Sequence, residues 1–395
     1  MKRNSNLLPG ETFKVQKDGI EHLNMTDDEI NNKYKRGEIR IVTEQARYPL
    51  DSIQAMIDSK KYILNPEYQR RKRWNNIRKS RLIESFIMNV PIPPIFLYEI
   101  DYSIYEVMDG LQRLTAIYDF YRSEFPLEGL EYWQELNNKR YDDLPEQVRR
   151  GVDRRYLSSV VLLQETAKNR EEAESLKQIV FERLNSGGEK LTAQETRNAL
   201  KSGKFNNLCI ELSNNSRFRE MLNFPSDEKK FLESEPYRKM EDVELVLRFF
   251  AYRHIEHLNV PVDRFLDEYL KQANLYADST IEQLKYLFCK TIDSVYEIFG
   301  KDAFIPPKSN YSNKSPAKSI YDPMMQSFAG HIEYIDKILD NKDDIQKTIY
   351  QNSELLEVKN HASRKRSLFD GRYSNRTDVQ SRVAYFDKIL SKYIN

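Results

Sequence analysis

In the segment IYEVMDGLQRLTAIY, Ile104 to Tyr118, an acid, a glycine, an amide and a guanidinium fall close together at Asp109, Gly110, Gln112 and Arg113. An apolar strand pattern ends at Asp109 and a helical pattern begins near Leu111. A chain that passes from a strand straight into a helix presents unpaired first-turn N–H groups at the positive end of the helix, an arrangement suited to phosphate. Gly110 would let phosphate approach the backbone because it has no Cβ, and Arg113 would add a bidentate contact as a surface charge rather than a core residue. Asp109, at the strand end, is placed to hold magnesium or orient a water, and Gln112 to position that water as an amide rather than a base. The same residues are explained without a ligand, since Asp is a good N-cap and Gly a good turn residue.

These residues need a sheet behind them and a helix in front. Strands are expected at Glu38–Glu44, Pro94–Ile100, Ile104–Asp109 and Tyr156–Leu163. An amphipathic helix, RKSRLIESFIMNV, and the turn PIPPIF lead into the strand pair that ends at Asp109. From about residue 205 the periodicity is helical: Val243, Val246, Leu247 and Phe250 share one face, and Leu284, Leu287, Phe288, Ile292, Val295 and Phe299 another. The expected organisation is α+β: an N-terminal extension over 1–37, a mixed domain over 38–203, and an all-α domain over 204–395. The break is set by Ser202-Gly203, which stops the helix containing Glu195 to Leu200. Pro306 to Pro316 reads as a polar loop, and no internal repeat is present.

Composition bounds the function. With 395 residues, 39% hydrophobic and 31% charged, the chain can build more than one core and is too polar for a membrane protein. Neither a signal-peptide core nor a run of roughly 18 apolar residues is found, so a cytoplasmic location is expected. Lys and Arg number 62 against 61 Asp and Glu, so contact with a polyanion would have to come from local patches. Cys209 and Cys289 are too few for a disulfide framework or a thiolate zinc site, and both are expected to be buried thiols.

Further motifs surround the Asp-Gly turn. Upstream, NPEYQRRKRW (Asn65 to Trp74) sets Arg70, Arg71, Lys72 and Arg73 between Tyr68 and Trp74. Such a run is usually a solvated face, and it is also what a DNA backbone selects. Taken together, these residues resemble the N-terminal domain of GmrSD-type restriction proteins, within the ParB and sulfiredoxin-like nucleotide-binding superfamily. The family's Pro-x-Tyr-Gln-Arg box is met by Pro66 to Arg70, its Leu-Ile-Glu-Ser helix by Leu82 to Ser85, and its Pro-Ile-Pro turn by Pro91 to Pro93. Its Asp-Gly-Gln-Gln-Arg signature is met by Asp109, Gly110, Gln112 and Arg113, with Leu111 in place of the first Gln. A third box, FERLNSGGEKLTAQE (Phe181 to Glu195), keeps the spacing of Asn185, Leu191 and Glu195, with Gly188 where ParB proteins have Arg. Asn-Ser-Gly-Gly would also end a helix unaided.

The resemblance implies a ParB-like fold for the N-terminal domain, a nucleoside triphosphate with magnesium as cofactor, and catalysis by Asp109, Gln112 and Arg113. It implies nucleotide contacts from Tyr68, Gln69, Arg70, Gly110, Leu111, Asn185, Gly187 and Gly188, and magnesium on Asp109 and Asn185. The implied activity is that of an NTPase acting as sensor in a bacterial anti-phage restriction system, with DNA and a separate nuclease or effector as partners. A homo-oligomer is compatible with it. A non-catalytic DNA-binding or scaffolding module, using nucleotide only as a conformational ligand, stays open beside it. DNA contacts are assigned to Arg71, Lys72, Arg73, Arg364, Lys365 and Arg366, with Arg149-Arg150 and Arg154-Arg155 as further basic pairs.

His254-Ile255-Glu256-His257 could be mistaken for a nuclease metal motif, but no nearby Asn, Cys or third His completes a site. These are expected to be structural histidines, and the chain is expected to carry no nuclease motif of its own.

Overall fold

The computed structural model describes residues 7–14, 25–36, 41–64, 71, 74–163, 170–184, 191–306, 315–351, 357–359, 365–367, 369 and 375–394. Contacts divide the chain into a mixed unit, Gly19–Leu191, and a helical unit made of Met1–Asp18 and Thr192–Asn395.

The mixed unit contains α1 (Asp27–Arg36), β1 (Thr43–Pro49), α2 (Ser52–Asp58), β2 (Tyr62–Ile63), α3 (Asn76–Ile87), β3 (Ile95–Asp101), β4 (Ile104–Asp109), α4 (Leu111–Tyr121), α5 (Glu146–Asp153), β5 (Tyr156–Leu162) and α6 (Arg170–Leu184). The sheet order is β1-β5-β3-β4-β2, with β1 antiparallel to β5, β3 parallel to β5, and β3–β4 a hairpin. Three of the expected strands lie within a residue or so of their predicted ends.

Of the strand expected at Glu38–Glu44, residues 38–40 lie outside the described residues; the strand observed, β1, spans Thr43–Pro49, in register from Thr43 opposite Leu162 to Pro49 opposite Tyr156. It is an edge strand with a mostly exposed face, so its position is set by pairing to β5 rather than by its own apolar pattern. β2, which was not anticipated, pairs parallel to β4 over two residues only.

α3 starts because Asn75 caps it, its side chain accepting from Arg78 N at 2.9 Å, and it buries Leu82, Ile83 and Phe86. These side chains pack with Leu114, Ile117 and Phe120 of α4 and with Ile95 and Leu97 of β3 to form the core beneath the strand ends. Glu84, on the same helix, is buried and accepts from the backbone N–H groups of Tyr132 (2.8 Å), Trp133 (2.9 Å) and Glu131 (3.3 Å). Its carboxylate thereby fixes the loop that follows α4.

The helical unit contains α7 (Ala193–Leu200), α8 (Lys204–Leu212), α9 (Ser216–Met221), α10 (Glu228–Glu233), α11 (Glu235–Arg238), α12 (Glu241–Ala251), α13 (Val262–Ala273), α14 (Asp278–Phe299), α15 (Lys318–Gly330), α16 (Ile335–Asp340), α17 (Lys342–Gln351) and α18 (Arg376–Leu390), with a short pair β6 (Glu357–Lys359) and β7 (Lys365–Ser367). Both apolar stripes read from the sequence are buried, on α12 and α14 respectively. By its contacts α7 groups with these helices, the unit resuming at Thr192. The cause is Arg197, which is buried and bonded to Asp267 at 2.9 Å and Asp263 at 3.0 Å, both on α13. Thr192 opens α7 with a reciprocal capping box to Glu195.

Cys209 is buried on α8, and burial pushes its thiol up. Cys289 is only half-buried, contrary to expectation, because it lies outside the inward stripe of α14. Among the described residues, no helix is long and apolar enough to cross a membrane. The loop expected between Pro306 and Pro316 lies largely outside the described residues.

Candidate functional site at the end of β4

β4 delivers Asp109 to the end of the sheet, and α4 begins two residues later. Between the pairs Leu97–Val107 and Phe96–Asp109, β4 carries one more residue than β3. A bulge of this kind bends the strand and re-aims the side chains beside it. Gly110 then turns the chain with φ +91°, in the left-handed region open to glycine. The first rung of the helix is Leu114 N to Gly110 O, 2.9 Å, so the N–H groups of Leu111, Gln112 and Arg113 precede the ladder and face the helix entrance.

The structure gives Gly110 a second reason to be glycine. A Cβ there would lie 2.3 Å from Ile95 Cγ2 and 3.2 Å from Arg113 Nη2. The missing side chain therefore clears Ile95, which is fully buried on β3, as well as the approach to the backbone.

Arg113 is held by partners within the unit. Its guanidinium donates to Asp109 Oδ2 at 2.5 Å, to Pro94 O at 3.2 Å and to Pro93 O, and its side chain is 13% exposed against 43% for Asp109. One arginine thus ties the Pro91–Pro94 turn to the strand end. Gln112 Oε1 accepts from Trp74 N at 3.0 Å, fastening the residue that closes the basic segment to the first turn of α4. The sequence reading missed Pro93, Pro94, Ile95 and Trp74 at this place. Only the Pro-Ile-Pro-Pro run signalled them, as a rigid turn that must be anchored somewhere.

Glu106, also on β4, pairs with Lys177 of α6, whose Nζ stands 5.5 Å from the Tyr98 ring on β3. This ion pair was also missed, because 71 residues separate its members. It docks α6 on the sheet, and Asn185 follows the end of that helix directly.

Of the expected nucleotide contacts, Asp109, Gly110, Leu111, Gln112 and Arg113 lie together. Tyr68, Gln69, Arg70, Asn185, Gly187 and Gly188 lie outside the described residues. Lys72, Arg73 and Arg364 do as well, while Lys365 and Arg366 stand on β7. Arg71 is buried, 5% exposed. Arg155 is committed too, donating to Phe86 O and Ile87 O at the end of α3.

A magnesium–triphosphate fits this turn in chemical type. The strand end offers an accessible carboxylate on Asp109 for the cation, and the helix entrance offers N–H donors for the anion. Among the described residues, no group of three or more His, Cys, Asp or Glu is arranged to hold a metal ion on its own.

Residues 53–201 match the family model described as GmrSD restriction endonuclease, N-terminal domain. This segment is a GmrSD-type N-terminal domain. The match runs from α2 through α7 and takes in the whole β4–α4 turn. The GmrSD-type domain therefore ends one helix inside the helical unit, whose remaining helices lie beyond the match. No curated protein and no solved structure matches the chain.

His254 and His257 are not on a continuous amphipathic helix. They fall in a 3-10 turn, Tyr252–His257, where His254 itself is non-helical at φ −109° and ψ 33°. His254 is buried beside Glu11, with Nε2 3.3 Å from Oε1.

Proposed function

We propose that the protein is a nucleoside triphosphate-responsive component of a bacterial restriction-like defence system, and that triphosphate binds and is hydrolysed at the Asp109–Arg113 turn. The observation that carries this reading is the Gly110-capped start of α4 at the end of β4, within the segment that matches the GmrSD family. The N–H groups of Leu111 to Arg113 would bind phosphate oxygens, and Arg113 would add charge once it turns from the Pro93 and Pro94 carbonyls. Asp109 would hold magnesium, which when bound neutralises phosphate charge. Gln112 would keep the first turn in place through Trp74 and offer its amide nitrogen to a water.

A specific observation favours a second reading, in which nucleotide acts only as a conformational ligand. Arg113 and Gln112 both serve internal partners, so binding without turnover would already shift the Pro91–Pro94 turn and the chain at Trp74. Hydrolysis of each of the four common nucleoside triphosphates by the purified chain, with and without magnesium and DNA, separates the two. Turnover abolished by Asp109→Ala supports the first, and tight binding with no turnover supports the second.

DNA and a separate nuclease or effector are the partners this reading requires. The purified chain alone is expected to leave modified and unmodified phage DNA uncut. The burial of His254 against Glu11 supports this, because a nuclease histidine must reach its metal and water. Cleavage lost in His254→Ala, with the fold intact, would overturn it.

A further inference from the structure

The first described residues of the chain, 7–14, are held by the helical unit along their length. Glu11 is buried, and Arg253 grips it with two bonds of 2.8 Å, Nε to Oε1 and Nη2 to Oε2. His254 lies 3.3 Å from the same Oε1, and the segment's own Leu8 N donates to Oε2 at 2.9 Å. Phe13, two residues on, is buried in an aromatic box, its ring centroid 5.3 Å from Phe265, 5.4 Å from Tyr269 and 5.7 Å from His254.

Side chains of α13, α14 and the turn joining them also capture the backbone around these anchors. Thr280 Oγ1 donates to Pro9 O at 3.0 Å, and Tyr276 OH donates to Thr12 O at 2.7 Å. The amide of Gln272 takes both polar groups of Lys14, accepting from its N at 3.1 Å and donating to its O at 2.8 Å. Gly10 has φ +82°, and a Cβ on it would meet Thr280 Oγ1 at 2.5 Å. The recognising groups named here lie between Arg253 and Thr280, more than 240 residues along the chain from what they hold.

We propose that this groove is a recognition site for an extended peptide of the form Gly-Glu-x-aromatic, filled in cis by the chain's own residues 8–14. Its features are those of linear-motif recognition: a bidentate arginine for one carboxylate, a box for one ring, and amide and hydroxyl groups for the intervening backbone. The glycine is selected by conformation and by contact with Thr280. A partner segment of the same chemistry would compete for the groove and displace residues 8–14. None of this depends on nucleotide chemistry at Asp109.

The test uses a fluorescent peptide with the sequence of residues 7–14 and the full-length chain. Glu11→Ala/Phe13→Ala disables the internal segment and leaves the groove intact, so this variant should bind the peptide at least about tenfold more tightly than wild type does. Adding Arg253→Ala, or placing Ala at the peptide's glutamate, should cost roughly tenfold or more in affinity. A folded double variant that ignores the peptide, or binding indifferent to Arg253, overturns the proposal. Should the double variant not fold, a protease site inserted after Asp18 of the wild-type chain gives a second measurement. After cleavage, the freed segment should exchange with excess labelled peptide while the helical circular dichroism persists. Absence of exchange, or collapse of the helices on cleavage, would show the segment to be an inseparable part of the core.

Discussion

Arg113 reaches back one helical turn to Asp109, Nη2 to Oδ2 at 2.5 Å, while its other terminal nitrogen serves the carbonyls of Pro93 and Pro94. The guanidinium is therefore both a cation in the first turn of α4 and the strut of the turn beneath it. Charge and architecture cannot be removed separately by one truncation.

Arg113→Ala is accordingly expected to lower unfolding stability by roughly 1–3 kcal/mol, through acceptors left unpaired, as well as to weaken triphosphate binding. Arg113→Lys keeps the charge without the planar fork and should recover only part of both. Urea unfolding and nucleotide titration of the two variants check this. Unchanged stability in Arg113→Ala would show that the strut is inessential, and unchanged nucleotide affinity would remove Arg113 from the site.

Asp109→Ala should retain triphosphate binding better than Arg113→Ala and lose turnover, because a carboxylate repels phosphate unless a cation stands between them. Binding and steady-state hydrolysis measured on the same preparations decide it. Equal loss of both would assign Asp109 to the turn alone.

Gly110→Ala combines a left-handed backbone with the 2.3 Å approach to Ile95 Cγ2. Strain and overpacking together should cost about 2–4 kcal/mol. In the Ile95→Ala background the 2.3 Å contact with Cγ2 is removed while the 2.9 Å approach to Cβ and the backbone part stay, so Gly110→Ala should cost less there than in the wild type. Chemical denaturation of the four proteins measures the coupling, and equal costs in both backgrounds would contradict the packing role.

Burial alone would raise the carboxyl of Glu11, but the nearby His254 ring, the two Arg253 hydrogen bonds and the Arg253 charge outweigh it and hold the group at about 2, against an ordinary 4.5. A carboxylate depressed in this way adds stability that is complete above the ordinary value and lost as pH falls toward the folded one, here worth about 3 kcal/mol. Wild type should therefore lose stability between pH about 4.5 and about 2 with a slope that Glu11→Gln lacks. Acid titrations followed by circular dichroism test the sign and the window.

Glu84→Leu should free the loop at Tyr132 and Trp133, whose N–H groups the carboxylate now accepts. The loss is expected to be roughly 2–3 kcal/mol, with faster amide exchange confined first to those residues. Exchange that stays slow at both amides would mean that the loop is held by its other contacts.

Sequence alone determined the α+β class, the inward stripes of α12 and α14, the hairpin that ends at Asp109, and the helix that starts after Gly110. These are local matters: apolar period, capping residues and turn chemistry act within a few residues of one another, so they can be read along the chain. The residues of the site legible in this way were those on one side of one turn.

What tertiary structure decided were the partners. Whether Arg113 faces solvent or the Pro93 and Pro94 carbonyls depends on where β3 delivers the Pro91–Pro94 turn. That Lys177 finds Glu106, and that Glu11 finds Arg253, depends on chain closure over 71 and 242 residues, for which no spacing rule exists. β1 was misplaced for the same reason: an edge strand takes its register from the neighbour it pairs with, and that neighbour, β5, lies more than a hundred residues away. Periodicity records which face of an element is buried. It carries no information about which distant group that face will meet, and at Arg113 and Glu11 that meeting sets what the charge can do.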